Sequence, residues 1–383
     1  MTAVQPFFRR TWAEIDLSAV RDNYEYIRGQ LAKDCCLCAV VKADAYGHCV
    51  QHIARLYDTL GVQWFAVSNL EEALQLRQMG LSQRILILSY TPPEAVGTLA
   101  AQNITTAVVS LEHAAALSAR AAEEGVHLTV HLKVDTGMGR VGLRDDADIL
   151  AVCRLPHLTA EGIFTHFATA DTEDKAFVRA QYAAFMAHIT AAETAGVHFS
   201  LKHCCNSAAT LRYPEYHMDM VRPGIILYGC MPDGSANPHL RPALSLKTVV
   251  SQVKTMEVGE TVSYGRTFTA LGPLTVATVP IGYADGYSRL FSNRASMLVN
   301  GCRAAVIGRV CMDQTVLNVS KIDGVEAGTV VTVFGEGMPV EELASAIGTI
   351  SYELLCLIGK RVPRVFVQDG DVVGVHDAIN GEA

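Results

Sequence analysis

The stretch Val40-Val41-Lys42-Ala43-Asp44-Ala45-Tyr46-Gly47-His48 determines how the rest of the chain is interpreted. It follows an apolar run over 35–41 that is typical of a buried strand in a parallel sheet, and it leads into a helical pattern beginning near Gly47. Lys42 therefore lies at the carboxyl end of a predicted strand. Most lysines are solvated surface charges, but an ammonium group beside an apolar strand end can lose its proton and become a nucleophile that forms a Schiff base.

Outward from this stretch, short apolar runs alternate with helical patterns. Further strand candidates lie at 64–67, 84–89, 104–109, 128–134, 158–164, 199–203 and 218–221, and the helical patterns between them include 70–79, 111–124 and 174–195, each followed by glycine. Eight strands alternating with helices over roughly 190 residues predict a (β/α)₈ barrel, and an open doubly wound sheet is the alternative. No G-x-G-x-x-G sequence follows the first strand, which argues against a dinucleotide site.

The pattern changes beyond about Pro242, where helical stretches become scarce. Short β-rich runs separated by turn residues lie at 245–253, 274–279, 297–299, 304–310, 314–319, 330–334 and 364–367. We therefore predict a barrel domain over 1–236 and a mostly β domain over 237–383. At the other end of the chain, 12–17 alternates like a strand, Ser18 is the expected cap of the following helix, and residues 1–12 are a candidate for pairing with the second domain.

Composition narrows the classes of function. The 383 residues are half hydrophobic and carry a net charge of −8, without the clustered Lys and Arg that nucleic acid or an anionic membrane requires. No apolar run resembles a signal peptide or approaches the ~18 residues of a membrane span, so we expect a soluble cytoplasmic enzyme. Eleven cysteines without an export signal indicate reduced thiols. Cys35 and Cys38 have C-x-x-C spacing but no second ligand pair, so buried thiols are expected there and no metal site.

Polar side chains follow several of the predicted barrel strands, where a barrel enzyme carries its active site. They are Lys42 and Tyr46 after the first strand, Asp135 to Arg140 after the fifth, His166 after the sixth, Asn206 and Ser207 after the seventh, and Arg222, Gly224 and Ile225 after the eighth. Ser207 with the backbone of 224–225 fits a phosphate site. Arg222 could donate a hydrogen bond to a pyridine nitrogen without protonating it, or could form a structural salt bridge.

Nearly the whole sequence resembles the alanine racemase family of fold-type III pyridoxal-phosphate enzymes. The matching motifs are Trp12-Ala13-Glu14-Ile15-Asp16-Leu17, Val41 to His48, Lys133-Val134-Asp135-Thr136-Gly137-Met138-Gly139-Arg140, His166-Phe167-Ala168-Thr169-Ala170-Asp171, Asn206-Ser207-Ala208, Arg222-Pro223-Gly224, Ser263-Tyr264-Gly265-Arg266, Ile281-Gly282-Tyr283-Ala284-Asp285-Gly286 and Cys311-Met312-Asp313. The chain departs from the family at Cys49, where glycine is usual.

This resemblance implies pyridoxal 5'-phosphate as cofactor and racemisation of alanine, supplying D-alanine for peptidoglycan. Lys42 would carry the cofactor and act on one face of the substrate, and Tyr264 from the partner subunit of a homodimer would act on the other, supported by His166 and Arg222. The resemblance further implies cofactor contacts at Tyr46, Asn206, Ser207, Arg222, Gly224, Ile225 and Tyr352; substrate contacts at Arg140 and Met312; carbamylation of Lys133; and an entrance lined by Tyr283, Asp171, Arg289 and Arg309.

The sequence leaves three other functions to be considered. A serine or dual serine/alanine racemase has the same architecture, although Tyr352 would crowd a larger substrate side chain and favours alanine. A basic-amino-acid decarboxylase with a similar barrel would be expected to place an acid near the pyridine nitrogen, and Arg222 argues against it. A non-catalytic cofactor carrier would need only the barrel, whereas this chain has a second domain with Tyr264 and Met312.

Overall fold

Over residues 10–382, which this computed structural model describes, the chain begins with a strand and a helix. Strand β1 (Thr11–Asp16) leads directly into α1 (Leu17–Gly29). The expected cap at Ser18 is wrong, because Asp16 caps the helix by accepting a hydrogen bond from the backbone N–H of Ala19. Ser18 Oγ instead donates to Asp369 at 2.9 Å, a contact across 351 positions that no local pattern reveals.

Eight parallel strands follow, one at each predicted apolar run. They are β2 (Cys36–Val40), β3 (Trp64–Val67), β4 (Arg84–Ile87), β5 (Ile104–Val108), β6 (Leu128–Lys133), β7 (Leu158–Phe164), β8 (Leu201–His203) and β9 (Met220–Val221). Each pairs with the next from β2 to β8, and β9 pairs with β2. Backbone hydrogen bonds from Asp219 to Lys202 and from Arg222 to Cys205 bridge the remaining seam. The barrel prediction is confirmed, and the doubly wound sheet is excluded.

Helices connect the barrel strands. They are α2 (Lys42–Tyr46), α3 (Val50–Thr59), α4 (Leu70–Gln78), α5 (Val96–Ala101), α6 (Leu111–Glu124), α7 (Asp146–Cys153), α8 (Ala176–Thr194) and α9 (Ser207–Arg212). Gly125 ends α6 in the left-handed conformation, as the glycine after the helical pattern predicts. The helix expected to start near Gly47 instead begins at Val50, because the residues just after Lys42 adopt a left-handed turn.

The second half of the chain is mostly β. Its strands are β10 (Leu244–Val249), β11 (Gln252–Met256), β12 (Thr261–Val262), β13 (Phe268–Thr269), β14 (Leu274–Val279), β15 (Ser296–Val299), β16 (Cys302–Val306), β17 (Thr315–Asn318), β18 (Val330–Phe334), β19 (Arg364–Gln368), β20 (Asp371–Asp377) and β21 (Gly381–Glu382). Two short helices, α10 (Val340–Ile347) and α11 (Ser351–Cys356), interrupt them. The run predicted as one strand over 245–253 is two strands. The first, β10, pairs with β18 up to Val249, and the second, β11, pairs with β14 from Gln252 onward.

Strand β1 belongs to the sheet of the second half and not to the barrel. It runs antiparallel to β10 and parallel to β19. Residues 1–9 of the predicted pairing segment lie outside the described residues, and the domain boundary at 236/237 stays a prediction. Within residues 10–382, no helix combines the length and the apolar character needed to cross a membrane.

Candidate active site

A cavity of about 570 Å³ opens at the carboxyl ends of the barrel strands. This is the end at which barrel enzymes place their chemistry. The residues lining it include most of the predicted site: Lys42, Tyr46, Lys133, Arg140, His166, Asp171, Asn206, Ser207, Arg222, Gly224 and Tyr352. The fold therefore brings into one cavity residues as far apart in the sequence as Lys42 and Tyr352.

Lys42 is positioned by an unusual left-handed turn. Ala43, Asp44, Ala45 and Tyr46 all have φ between 53° and 54°, a region that costs a residue with a side chain roughly 1–2 kcal/mol. Such a turn bends the chain sharply away from β2, so the lysine stays at the strand end while the tyrosine returns toward the cavity. Backbone strain of this kind persists only where the surroundings hold it in place.

Contacts from several parts of the chain hold this turn. Asp44 accepts a hydrogen bond from the Val50 N–H at 2.8 Å, and the buried His48 ring donates from Nδ1 to the carbonyls of Ala45 and Tyr46 at 3.0 Å. Glu72 on α4 accepts from the backbone N–H of Ala43 at 2.7 Å. These contacts offset the strain, and Glu72, which sequence reasoning missed, is brought to the turn by the fold alone.

Positive charges concentrate around the cavity. Burial, together with the nearby Arg140, lowers the pKa of the Lys42 amine. Burial and the charges of Arg140, Arg222 and Lys42 lower the pKa of Lys133 to about 8. Asp171 is the one carboxylate among the lining residues of the described chain. The cavity therefore has an excess of cationic groups, which favours an anionic ligand.

The loop after β6 carries Arg140 on a framework built by Asp135. One oxygen of this carboxylate accepts hydrogen bonds from the backbone N–H groups of Gly137 and Gly139, and the other pairs with Arg144 at 2.7 Å. At Gly142 an added Cβ would lie 2.6 Å from the Asp135 nitrogen, so a larger residue would displace the loop. The exposed Arg140 side chain is thus carried at the rim by an ordered loop.

An anion cradle forms where the loops after β8 and β9 meet Tyr46. Ser207 Oγ accepts a hydrogen bond from the Gly224 N–H at 2.8 Å, which joins the two loops. A Cβ at position 224 would lie 2.4 Å from the Tyr46 hydroxyl, so only glycine permits this approach. The helical turns that begin at Ser207 and at Ile225 have first-turn N–H groups without intrahelical partners, and such groups bind phosphate oxygens. Ile225 itself is buried outside the cavity lining, so only its backbone could take part.

Asn206 lines the cavity and also stabilises the surrounding loops through its side-chain hydrogen bonds. Its side chain accepts a hydrogen bond from the Ala209 N–H and donates to the Phe167 carbonyl at 3.2 Å. A second amide, Gln181 on α8, donates to the His166 carbonyl and accepts from the Ala168 N–H. These two side chains hold the loop after β7. Gln181 could not be identified from the sequence, because it lies in an ordinary helical pattern.

Arg222 is buried and has no carboxylate partner within residues 10–382, so the structural salt bridge that was the alternative role for Arg222 is not found. Its guanidinium donates to His203 Nδ1 at 2.6 Å and to the Thr165 carbonyl at 2.8 Å. His166 faces the same cavity, where burial and the neighbouring Arg222 hold the pKa of its imidazole well below the ordinary value. His203 is the last residue of β8, and it was missed from the sequence because it was counted as part of the strand predicted over 199–203.

The remaining predicted residues do not reach the cavity within one chain. Tyr264, Met312, Tyr283, Arg289 and Arg309 all lie in the second half of the chain. Tyr264 is 72% exposed and Met312 is 52% exposed. Their loops contact one another: Ser263 Oγ donates to the Arg309 carbonyl, and the Tyr283 N–H donates to the carbonyl of Cys311. None of the five residues lines the barrel cavity, and we call this set the Tyr264 face.

The fold and the cavity define a class: a barrel enzyme with a lysine at its first strand end, an anion cradle and an appended β domain. Family models for the alanine racemase N-terminal and C-terminal domains match residues 15–232 and 243–366. The chain is 45% identical to alanine racemase of Desulforamulus reducens, over 93% of this chain and 98% of that protein. The chain belongs to the alanine racemase family and is an enzyme of the isomerase class, as the sequence predicted.

Solved structures agree with this assignment. An alanine racemase structure from Clostridium difficile 630 is 38% identical and superposes with a TM-score of 0.93, covering 98% of this chain and all of that one. A structure of alanine racemase from Bartonella henselae with covalently bound pyridoxal phosphate is 28% identical, with a TM-score of 0.87, over 94% of this chain and 99% of that one. The architecture is therefore shared with these two structures over 94–98% of this chain.

Proposed function

We propose that this protein is a pyridoxal-phosphate-dependent racemase that interconverts L- and D-alanine. The observation that carries the proposal is a lysine with a lowered pKa in a cationic cavity that also contains an anion cradle. An amine must lose its proton before it can react with an aldehyde, so the environment of Lys42 favours the reactive form. D-alanine for peptidoglycan, and a cytoplasmic location, remain predictions that follow from the family.

The residues of the cavity fit pyridoxal phosphate. The phosphate would be held by the cradle of Tyr46, Ser207 and Gly224, and the ring nitrogen would accept a hydrogen bond from Arg222. When bound, the conjugated ring withdraws electrons from the substrate α-carbon and so makes its proton easier to remove. Because arginine keeps its proton, it leaves the ring nitrogen unprotonated and moderates this withdrawal. A moderate effect suits a reaction in which the same carbon must be reprotonated.

Inversion at the α-carbon needs proton transfer on both of its faces, which one group cannot easily provide. We infer that Lys42 acts on one face and Tyr264 of the partner subunit on the other. The exposure of Tyr264 supports this division, since a large aromatic side chain that is 72% exposed in one chain is poorly placed for work within that chain. The Tyr264 face would then cover the cavity of a second copy in a homodimer, with His166 and the cationic Arg222 beside the phenol.

The substrate carboxylate would be held by Arg140 and by the backbone N–H of Met312. Arg140 stands at the rim of the cavity, and Met312 lies on the Tyr264 face, so both would meet only across the subunit contact. Tyr283, Arg289 and Arg309 of the same face, with Asp171 of the barrel, would form the entrance. This arrangement excludes water from the reacting carbon once two chains are joined.

Lys133 is proposed to be carbamylated. Its ammonium group would first lose one proton, and the neutral amine nitrogen would then attack the carbon of CO₂ and release a second proton, so that a cation becomes an anion beside Arg140 and Arg222. Only the neutral amine reacts, so with a pKa of about 8 the modification should form faster at pH 9 than at pH 6 when the concentration of dissolved CO₂ is the same. We expect bicarbonate-free protein to lose activity and to regain it with bicarbonate, with the carbamate detected by ¹³C NMR after ¹³C-bicarbonate addition.

A Lys133→Arg variant provides the control for carbamylation, because arginine keeps the charge and cannot form the carbamate. Its activity should not respond to bicarbonate. If bicarbonate-free wild-type protein keeps full activity and shows no carbamate signal, the modification of Lys133 has no role in this enzyme.

Mixing the protein with L-alanine or with D-alanine and following optical rotation tests the proposed function. Rotation should decay to zero from either enantiomer. L-serine should react with a kcat/KM lower by about 10-fold or more, because Tyr352 narrows the space for the substrate side chain. Equal rates with serine would favour a dual racemase, and no change with any of these amino acids would remove the racemase proposal and leave a cofactor carrier.

A further inference from the structure

A chain of hydrogen bonds runs through the barrel interior, from Arg222 at the carboxyl ends of the strands to Glu161 and Arg84 near the other end of the barrel. Arg222 Nη1 lies 2.6 Å from His203 Nδ1, and His203 Nε2 lies 2.9 Å from His131 Nδ1. His131 Nε2 lies 3.4 Å from a carboxylate oxygen of Glu161, which Arg84 contacts at 2.7 and 2.5 Å. His131 and His203 are completely buried.

The direction of every hydrogen bond in this chain is determined by Arg222, because a guanidinium can only donate. His203 must accept at Nδ1 and therefore carries its proton on Nε2. That proton points at His131 Nδ1, so His131 must also carry its proton on Nε2, facing the Glu161 carboxylate. Burial lowers the pKa of both imidazoles, and the Arg222 charge adds to this effect, so both rings are neutral in this arrangement.

Glu161 supplies the negative charge at the end of the chain. Partial burial raises its pKa, but the hydrogen bonds from His131 and Arg84, together with the Arg84 charge, lower the pKa to about 2. Arg222 has no closer carboxylate partner in the described part of the chain. Polarised hydrogen bonds through two neutral rings therefore connect the buried Arg222 to a carboxylate that Arg84 also contacts.

The local backbone is shaped around this chain. Val130 pairs with Ala160 and His131 pairs with Gly162, so Glu161 is the extra residue of a β-bulge between β6 and β7. A bulge redirects a side chain that regular pairing would place elsewhere. Gly162 has no side chain for a related reason, since an added Cβ would lie 2.7 Å from the His131 ring. Both irregularities of β7 thus serve the contact between His131 and Glu161.

We propose that Glu161, His131 and His203 are positioning residues, which orient the Arg222 guanidinium toward the ring nitrogen of the cofactor. This inference rests on the proposed function. His203 and the Thr165 carbonyl occupy part of the guanidinium, and the Nε–H of Arg222 has no protein partner among residues 10–382. His203 occupies one Nη1–H, while the Thr165 and Cys204 carbonyls occupy the Nη2 group, so His203 helps to determine which N–H groups of Arg222 stay available at the cavity.

The first test uses the unaltered protein. In enzyme labelled with ¹⁵N-histidine, two-bond proton–nitrogen correlations should identify His131 and His203 as neutral rings protonated on Nε2, with and without pyridoxal phosphate. A ring protonated on Nδ1 at either position would overturn the proposed chain. This measurement does not depend on catalysis, so it separates the chain from the proposed function, which fails independently if the wild-type enzyme leaves alanine unchanged.

The second test replaces Glu161 by methionine, which keeps the length of the side chain and removes the acceptor. We expect kcat to fall on the order of tenfold, the effect of losing a hydrogen bond to a charged group, and the dissociation constant for pyridoxal phosphate to rise by a similar factor. KM for alanine should change less than about twofold, because Arg222 is proposed to contact the cofactor and not the substrate. Glu161→Gln, which retains an acceptor, should recover part of the loss.

Glu342→Met is the matched control, because Glu342 on α10 also pairs with an arginine through both oxygens and takes no part in the hydrogen bonds between Arg222 and Glu161. It should leave kcat and cofactor affinity unchanged. Gly162→Ala gives a second route, since it displaces the His131 ring without touching a hydrogen-bonding group. Wild-type kcat and cofactor affinity in Glu161→Met would overturn the proposal, as would a loss explained entirely by a smaller folded fraction in circular dichroism.

Discussion

Replacing Lys42 by alanine should remove the visible absorption of bound pyridoxal phosphate and lower racemase activity by roughly three orders of magnitude or more. The reason is that no other amine is held at the end of β2 by a strained turn facing the anion cradle. The variant should be incubated with the cofactor, dialysed and scanned from the ultraviolet to the visible. Circular dichroism would show that the barrel remains folded.

Lys133→Ala is the matched control for this experiment, because Lys133 lines the same cavity and also has a lowered pKa. It should keep the visible absorption, although its activity should fall if Lys133 orients Arg140. An unchanged yellow spectrum in Lys42→Ala, or loss of the visible absorption in Lys133→Ala, would contradict attachment of the cofactor to Lys42.

Replacing Tyr264 by phenylalanine should slow proton removal from one alanine enantiomer far more than from the other. Loss of a general base costs about 10²- to 10⁴-fold, and here the cost should fall on one face of the substrate only. Exchange of the α-proton with deuterated solvent, measured separately for L- and D-alanine, provides the comparison. Tyr26→Phe on α1 is the control, because that ring stacks on His239 and lies outside both the cavity and the Tyr264 face. Equal slowing of both enantiomers would count against bases on opposite faces.

Mixing two defective variants tests whether the site is shared between subunits. If Lys42→Ala and Tyr264→Phe chains are unfolded and refolded together, about half of the dimers should be hybrids, each with one intact site, which restores about a quarter of wild-type activity. Each variant refolded alone should stay inactive. Failure of the mixture to recover activity, when mass spectrometry detects hybrids, would mean that both groups serve the same chain.

Much of the barrel could be predicted because its signals are local. Each of the eight parallel strands lies at an apolar run, and glycines mark the ends of helices such as α4 and α6. Residues at the carboxyl ends of parallel strands must meet, so Lys42, His166 and Arg222 could be placed in one site before any coordinates existed. The assignment to a family came from short motifs, which carry more specific information than periodicity does.

What could not be predicted depends on contacts between distant residues. Asp16 caps α1, which begins one residue before Ser18, and Ser18 contacts Asp369 instead; nothing near position 18 indicates that contact. The left-handed turn after Lys42 contains no glycine before position 47, so propensity alone would never suggest it. Sequence also cannot show that Arg222 lacks a carboxylate partner, since that depends on the barrel interior as a whole.

The position of β1 constrains how the molecule can be assembled. Its two neighbours, β10 and β19, are synthesised long after it, and the second of them lies close to the carboxyl end of the chain. During translation the barrel can complete itself on the ribosome while this first strand waits with both of its hydrogen-bonding edges open. The pairing of β1 with β19 therefore forms late, and a nascent chain that stalls before residue 364 would present an unpaired edge of β1 to chaperones or to other nascent chains.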